Sequence, residues 1–460
     1  MHIGRLKQLQ RREFLRRASA LGLAGAAAPW ALQLAAIGEA AAASSVAGGD
    51  YKALVCVFLY GGNDHDNSVV PYDEAGYRAY AAARSSLAIP REQLQPLNAA
   101  LNDGRQLALA PPLARLQPLF EAGDLGVLLN VGPLVQPTTL AQFRAKSVPL
   151  PPKLFSHNDQ QSVWQASSPE GATSGWGGRI GDQFLAANGS ASFGCINVAG
   201  NAVFMSGQQA VQYQVSSGGA VAINGLARPL YGSQACSTAL RGLITAEREH
   251  WMERELNRVT ARSVAAQATV AAALAGAPAL RTPFPAGNSL AAQLQMVARL
   301  IGGRAGLGVS RQVFFVSLAG FDLHDFLSTQ HPRLLGLLAE ALAAFQAAMV
   351  ELGVADRVCA FTASDFGRTL SSNGNGSDHG WGSHHFIVGG GIAGGRFWGR
   401  APAVGVNGSD DVGQGRLLPT TSVDQLAATL AGWMSVAASE LPALLPQIGN
   451  YEARDLGFFG

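Results

Sequence analysis

Apolar residues fall into short unbroken runs rather than alternating or heptad patterns. Runs of strand length occur at 53–60, 126–131, 312–318, 357–362 and 386–388. An unbroken run of this length suits a strand buried on both faces, as in a parallel sheet covered by helices. Between such runs the period changes. Over 332–352, Leu335, Leu338, Leu342, Phe345 and Met349 recur at spacings of three and four, which predicts a helix, and Gly353 ends it. Strand, helix, strand predicts an α/β fold, with a mostly parallel central sheet covered by helices on both faces. Residues 202–307 break that rhythm. Short Gln-, Ser- and Gly-rich strand-like pieces lead into a charged helix over 247–262 and then an Ala-rich one. An inserted cap subdomain is expected there, the helix charges facing solvent.

The N-terminus reads as a targeting segment. Arg5, Lys7, Arg11, Arg12, Arg16 and Arg17 precede a weakly apolar stretch, 18–43, that closes on Ala41-Ala42-Ala43. Arg11-Arg12 followed by Glu13-Phe14-Leu15-Arg16 resembles the twin-arginine export signal, with Gln10 where Ser or Thr is usual. Pro29, Gln33 and Glu39 interrupt the stretch, and a membrane span needs about twenty apolar residues. The expectation is therefore a signal at 1–43, a mature domain at 44–460 with no transmembrane anchor, and a periplasmic or extracellular protein that meets the twin-arginine machinery.

Composition narrows the classes. Apolar residues make up 48% and charged residues 14%, against about 25% charged in an average soluble domain, which disfavours disorder and coiled coil. The net charge is +2, and removing six basic and two acidic residues with the signal leaves 27 basic against 29 acidic. No nucleic-acid footprint is implied. Cys56 and Cys359 lie in runs read as central strands; Cys195 and Cys236 could pair in an oxidising compartment, and spacing does not decide it.

In open α/β sheets ligands bind beyond the carboxyl ends of strands, and polar clusters fill those places here. Gly61-Gly62-Asn63-Asp64-His65-Asp66 follows the first run, Gly320-Phe321-Asp322-Leu323-His324-Asp325 a later one, and Ser364-Asp365-Phe366-Gly367-Arg368 another. Asp378, His379, His384 and His385 come soon after. Imidazole and carboxylate together form a ligand set for zinc or another first-row divalent metal. His331, before Pro332, is either a weaker member of this cluster or a surface or capping residue. Ser156 and His157 open a predicted helix, where Ser156 is either a plain N-cap or a hydroxyl nucleophile facing a metal. Gly389, Gly391 and Gly394 match G-x-G-x-x-G, but strand-like Arg396-Phe397-Trp398 follows where a dinucleotide site needs a helix, so no nucleotide cofactor is expected.

FLYGGND, LFSHNDQQSVWQ, GWGGR, GFDLHD, SDFGRT, NGNGSDHGWGSHH, GGGIAGGRFWG, LLPTTSVDQLAATLAGW and a terminal DLGFF occur in that order. Together they resemble the exported domain-of-unknown-function family numbered fifteen-oh-one, itself similar to the alkaline-phosphatase and sulfatase superfamily. The resemblance implies an alkaline-phosphatase-like fold and metal-assisted hydrolysis of a phosphate or sulfate ester on a small molecule or polymer, with zinc, calcium, magnesium or manganese. It implies that Asp64, Asp322, His324 and Asp365 supply metal ligands, that His379 or His384 supplies the late histidine with Asp378 as a replacement ligand, and that Ser156 with His157 lies at the nucleophile position. Arg368 is expected to steady an anionic group through its fork of donors. Two departures stand out. The pair Asp322 and His324 is D-x-H rather than D-x-x-x-H, and Phe366 replaces the histidine of a D-H-G motif. The alternative is a non-enzymatic envelope protein that uses a degenerate hydrolase site for binding or assembly.

Overall fold

A computed structural model describes residues 51–459, so the twin-arginine pattern lies outside the described residues. Fifteen strands occur among them: β1 (Lys52–Tyr60), β2 (Val69–Pro71), β3 (Gln95–Ala100), β4 (Gln106–Leu109), β5 (Leu125–Gly132), β6 (Cys195–Asn197), β7 (Tyr213–Ser216), β8 (Gly219–Ala220), β9 (Arg311–Ala319), β10 (Val358–Ser364), β11 (Arg368–Ser372), β12 (Ser377–His379), β13 (Ser383–Gly389), β14 (Phe397–Trp398) and β15 (Thr421–Ser422). The ten-stranded central sheet has the order β14-β5-β13-β10-β1-β9-β6-β7-β8, with β15 also on β5. Most pairings are parallel, as the unbroken runs predict. β13 runs antiparallel to both β10 and β5, and the β7–β8 pair at the far edge is also antiparallel. The chain returns from β10 to β13 through the β11–β12 hairpin, with no crossover helix to restore the direction.

β1 shows why this sheet is covered on both faces. Val55, Val57 and Leu59 enter one core, while Leu54, Cys56 and Phe58 enter the other. The first core is closed by the helices Ser289–Gly302 and Leu327–Glu351, through Leu294, Leu338 and Phe345. The second is closed by Trp176–Gln183 and Val423–Trp433, through Ile180, Leu426 and Leu430.

Several sequence expectations shift. The core helix starts at Leu327, with Pro332 inside it, so His331 is buried rather than a surface or capping residue. The charged and Ala-rich helices are one continuous helix, Trp251–Gly276. Within 202–307, helix Ser289–Gly302 belongs to the core layer, since its Leu290, Leu294 and Val297 are fully buried. Cys195 is buried, Cys236 is exposed, and both are free thiols. The glycine-rich stretch around Gly391 is a turn leading to β14, not a helix start.

The arrangement β10-β1-β9 matters most. These neighbours are parallel, so the loops at their carboxyl ends emerge side by side. The turn after β1 is tight against its neighbour: Gly61 has φ +114°, and a Cβ there would lie 2.2 Å from the Asp322 amide nitrogen.

Candidate metal centre

Three imidazoles converge on one carboxylate at these strand ends. Asp322 stands in the loop after β9. His324 Nε2 lies 3.1 Å from its Oδ1, His379 Nε2 3.2 Å from the same oxygen, and His157 Nε2 3.3 Å from Oδ2. Ligating atoms of His157, Asp322 and His379 all lie within 4.8 Å of one another, and His324 Nε2 is 2.9 Å from His379 Nε2. His157 opens the helix His157–Ala166, and His379 ends β12.

The opposite edge of each ring is also held. His157 Nδ1 faces Asp365 Oδ2 at 2.6 Å, His324 Nδ1 faces Asp378 Oδ1 at 3.1 Å, and His379 Nδ1 faces the Phe155 carbonyl at 2.8 Å. A ring nitrogen that donates to a carboxylate or carbonyl carries the proton, leaving Nε2 with its lone pair; this is how metal-binding histidines are oriented. Phe155 sits at φ +71° to present that carbonyl. Asp365, fully buried, also accepts from the Gly61 amide (3.2 Å) and Gln161 Nε2 (2.7 Å).

Charge follows the geometry. The hydrogen bond to Asp365 raises the His157 pKa above the ordinary histidine value, against the effect of burial. Burial lowers that of His379. For Asp322, burial pushes upward, but the bond and charge of Arg368 with the nearby histidines outweigh it, and the carboxyl lies below the usual range.

Arg368 is not free to hold a substrate anion. Its fully buried guanidinium donates to the Ser377 and Gly61 carbonyls and, at 3.1 Å, to Asp322 Oδ1. It fixes Asp322 instead. Ser156 occupies the N-cap position, yet its hydroxyl donates to Asp159 Oδ2 at 3.0 Å and caps no amide. Phe366 packs beside His157 and His379, ring centroids 4.9 and 4.6 Å away. Gln161 and the Phe155 carbonyl were missed by sequence reasoning, and a backbone carbonyl carries no sequence signal at all.

Asp64 and His384 are not brought into this group. Asp64 forms a fully buried ion pair with Arg84 of the helix Glu74–Arg84. His384 Nδ1 accepts the Asn130 amide at 3.0 Å, and its ring meets His65 edge-on at 4.8 Å. They belong to a separate buried chamber with His65, Asp66 and His331, whose Nε2 is 2.9 Å from Asn63 Oδ1. Burial lowers His65 and His331 to about 4 and His385 to about 3, and pushes Asp66 up to about 8.

The family model described as "Protein of unknown function (DUF1501)" matches residues 51–431, and the chain belongs to that family. No curated protein matches the sequence. Among solved structures, Ps i-CgsB is similar at 9% identity and a TM-score of 0.35, over 86% of this chain and 77% of that one. A protein from a Bacteroides thetaiotaomicron glycosaminoglycan-metabolism locus is similar at 10% identity and a TM-score of 0.34, over 86% and 74%.

Proposed function

We propose that the protein is an exported, metal-dependent hydrolase of a phosphate or sulfate ester. The observation that carries this reading is the convergence of His157, His324 and His379 Nε2 on Asp322, each ring held from behind at Nδ1. Three imidazoles and a carboxylate suit zinc or another first-row divalent ion better than calcium or magnesium, which prefer oxygen. Asp365 and Asp378 then orient ligands rather than bind the ion. The side chains of the four ligands are 22 to 45% exposed, so an ester can approach from solvent. A bound divalent ion would act there as a Lewis acid on an ester oxygen. Arg368 holds Asp322, Asp365 and Gln161 hold His157, and the Phe155 carbonyl holds His379. Export by the twin-arginine machinery to the periplasm or beyond rests on the Arg11-Arg12 pattern, and the hydrolase class on the motif resemblance. That route carries folded proteins, which agrees with an ion loaded before export.

The second reading, a binding or assembly protein, is favoured by the Ser156 hydroxyl being engaged by Asp159 and by Phe366 standing against two of the histidines. Metal analysis of unchelated protein tests the centre: about one equivalent is expected, lost in Asp322→Ala and His379→Ala. Absence of metal with undiminished stability would sink the metal reading. Given metal, turnover of aryl phosphate or aryl sulfate supports hydrolysis; silence with both supports binding.

A further inference from the structure

The buried chamber beside the candidate metal centre holds more acids than cations to pair with them. It contains two acidic side chains, Asp64 and Asp66, and one guanidinium, Arg84. Arg84 is committed: Nη2 pairs with Asp64, and Nη1 donates to the Thr369 carbonyl at 2.9 Å. Asp66 has no such partner. Its Oδ1 lies 3.5 Å from His65 Nε2, and its Oδ2 has no hydrogen-bond partner. Asp66 is 4% exposed, and a buried carboxylate is costly without a cationic partner, so burial pushes it up to about 8 and it is held ionised at neutral pH only when a cation pairs with it.

A cavity of about 250 Å³ reaches this residue from the surface. Asp66 and His384 line it, and its walls include Val69, Leu107, Ala79 and Val404. His384 uses Nδ1 as an acceptor, so its proton is on Nε2. Arg105, also on the wall, is tied to Asp103 and to the Ala401 and Pro402 carbonyls. The cavity therefore joins an unpaired acid to apolar walls. A hydrated inorganic cation would gain little from such walls, whereas an ammonium group on a hydrocarbon body would satisfy both.

We propose that this cavity is a binding site for a small organic ammonium ion, its nitrogen at Asp66 and its hydrocarbon body against Val69, Leu107 and Val404. The site is distinct from the His157, Asp322, His324 and His379 centre, so either assignment can fail without the other.

Calorimetric titration of the mature protein with cyclohexylamine and with cyclohexanol, its neutral counterpart, provides the test. The amine is expected to saturate one site at least tenfold more tightly than the alcohol. Asp66→Asn should bring the two within about twofold, with metal content unchanged. Ala79→Trp, at an exposed position on the cavity wall, should weaken the amine at least tenfold and decides the matter if Asp66→Asn fails to fold. Equal affinity for amine and alcohol, no saturable amine binding, or amine binding undiminished in the variants would overturn the proposal. So would displacement of the amine by magnesium chloride beyond the effect of sodium chloride at matched ionic strength.

Discussion

Asp365 does more for the metal centre than its distance from the ligand atoms suggests. Fully buried, it binds His157 Nδ1, Gln161 Nε2 and the Gly61 amide at once. Replacing it with Asn keeps the shape but removes the charge that holds His157. Loss of such an outer partner typically costs about 10- to 100-fold in metal affinity. That loss is expected for Asp365→Asn in competition with a chromophoric chelator, with the thermal midpoint of metal-free protein nearly unchanged; wild-type affinity would remove Asp365 from the site. Sequence alone shows why this role was hidden. Asp322 and His324 are legible because D-x-H sets both on one loop, but residue types do not reveal which oxygen faces which ring nitrogen. The pairing of Asp64 with Arg84 is equally silent, since it depends on how the helix Glu74–Arg84 packs.

At the scale of elements, the turn after β1 is the joint on which the centre depends. Gly61 touches the backbone of the Asp322 loop, and its φ of +114° is open to glycine and few others. Gly61→Ala is expected to cost on the order of 2 kcal/mol from backbone conformation alone, plus the displacement of Asp322. Metal stoichiometry should fall even where circular dichroism shows a folded protein; full occupancy in a folded variant would refute the coupling. The strands themselves were plainly legible, because runs such as that of β1 are buried on both faces. Direction was not: β13 is as apolar as the strands around it, and the β11–β12 hairpin between β10 and β13 is what reverses it against them.

At the scale of the molecule, the buried histidines set the response to acid. His65, His331, His384 and His385 are all held below the ordinary value of 6.5 by burial. As pH falls from 6.5 towards 4, the unfolded chain takes up protons there that the folded chain refuses. Their contribution is thus present above 6.5 and lost on acidification. Asp66, pushed up to about 8, acts in the opposite sense, its contribution being lost as pH rises towards 8, and the partly exposed His157 also opposes the four. Four buried rings outweigh these two, so the urea midpoint of metal-free protein should fall between pH 7 and pH 5. A midpoint constant over that interval would contradict neutral, buried histidines.

The four candidate ligands come from three separate places in the chain, the start of one helix, the loop after β9 and the β11–β12 hairpin, while the end of β10 supplies Asp365 behind His157. No local segment brings even three of them together, so the cradle comes into being only once β9, β1 and β10 have paired. Such long-range pairing is a slow, late event in folding. On the proposed metal reading, ion capture would be a certificate of completed folding, and a half-made chain would have nothing with which to compete for the ion.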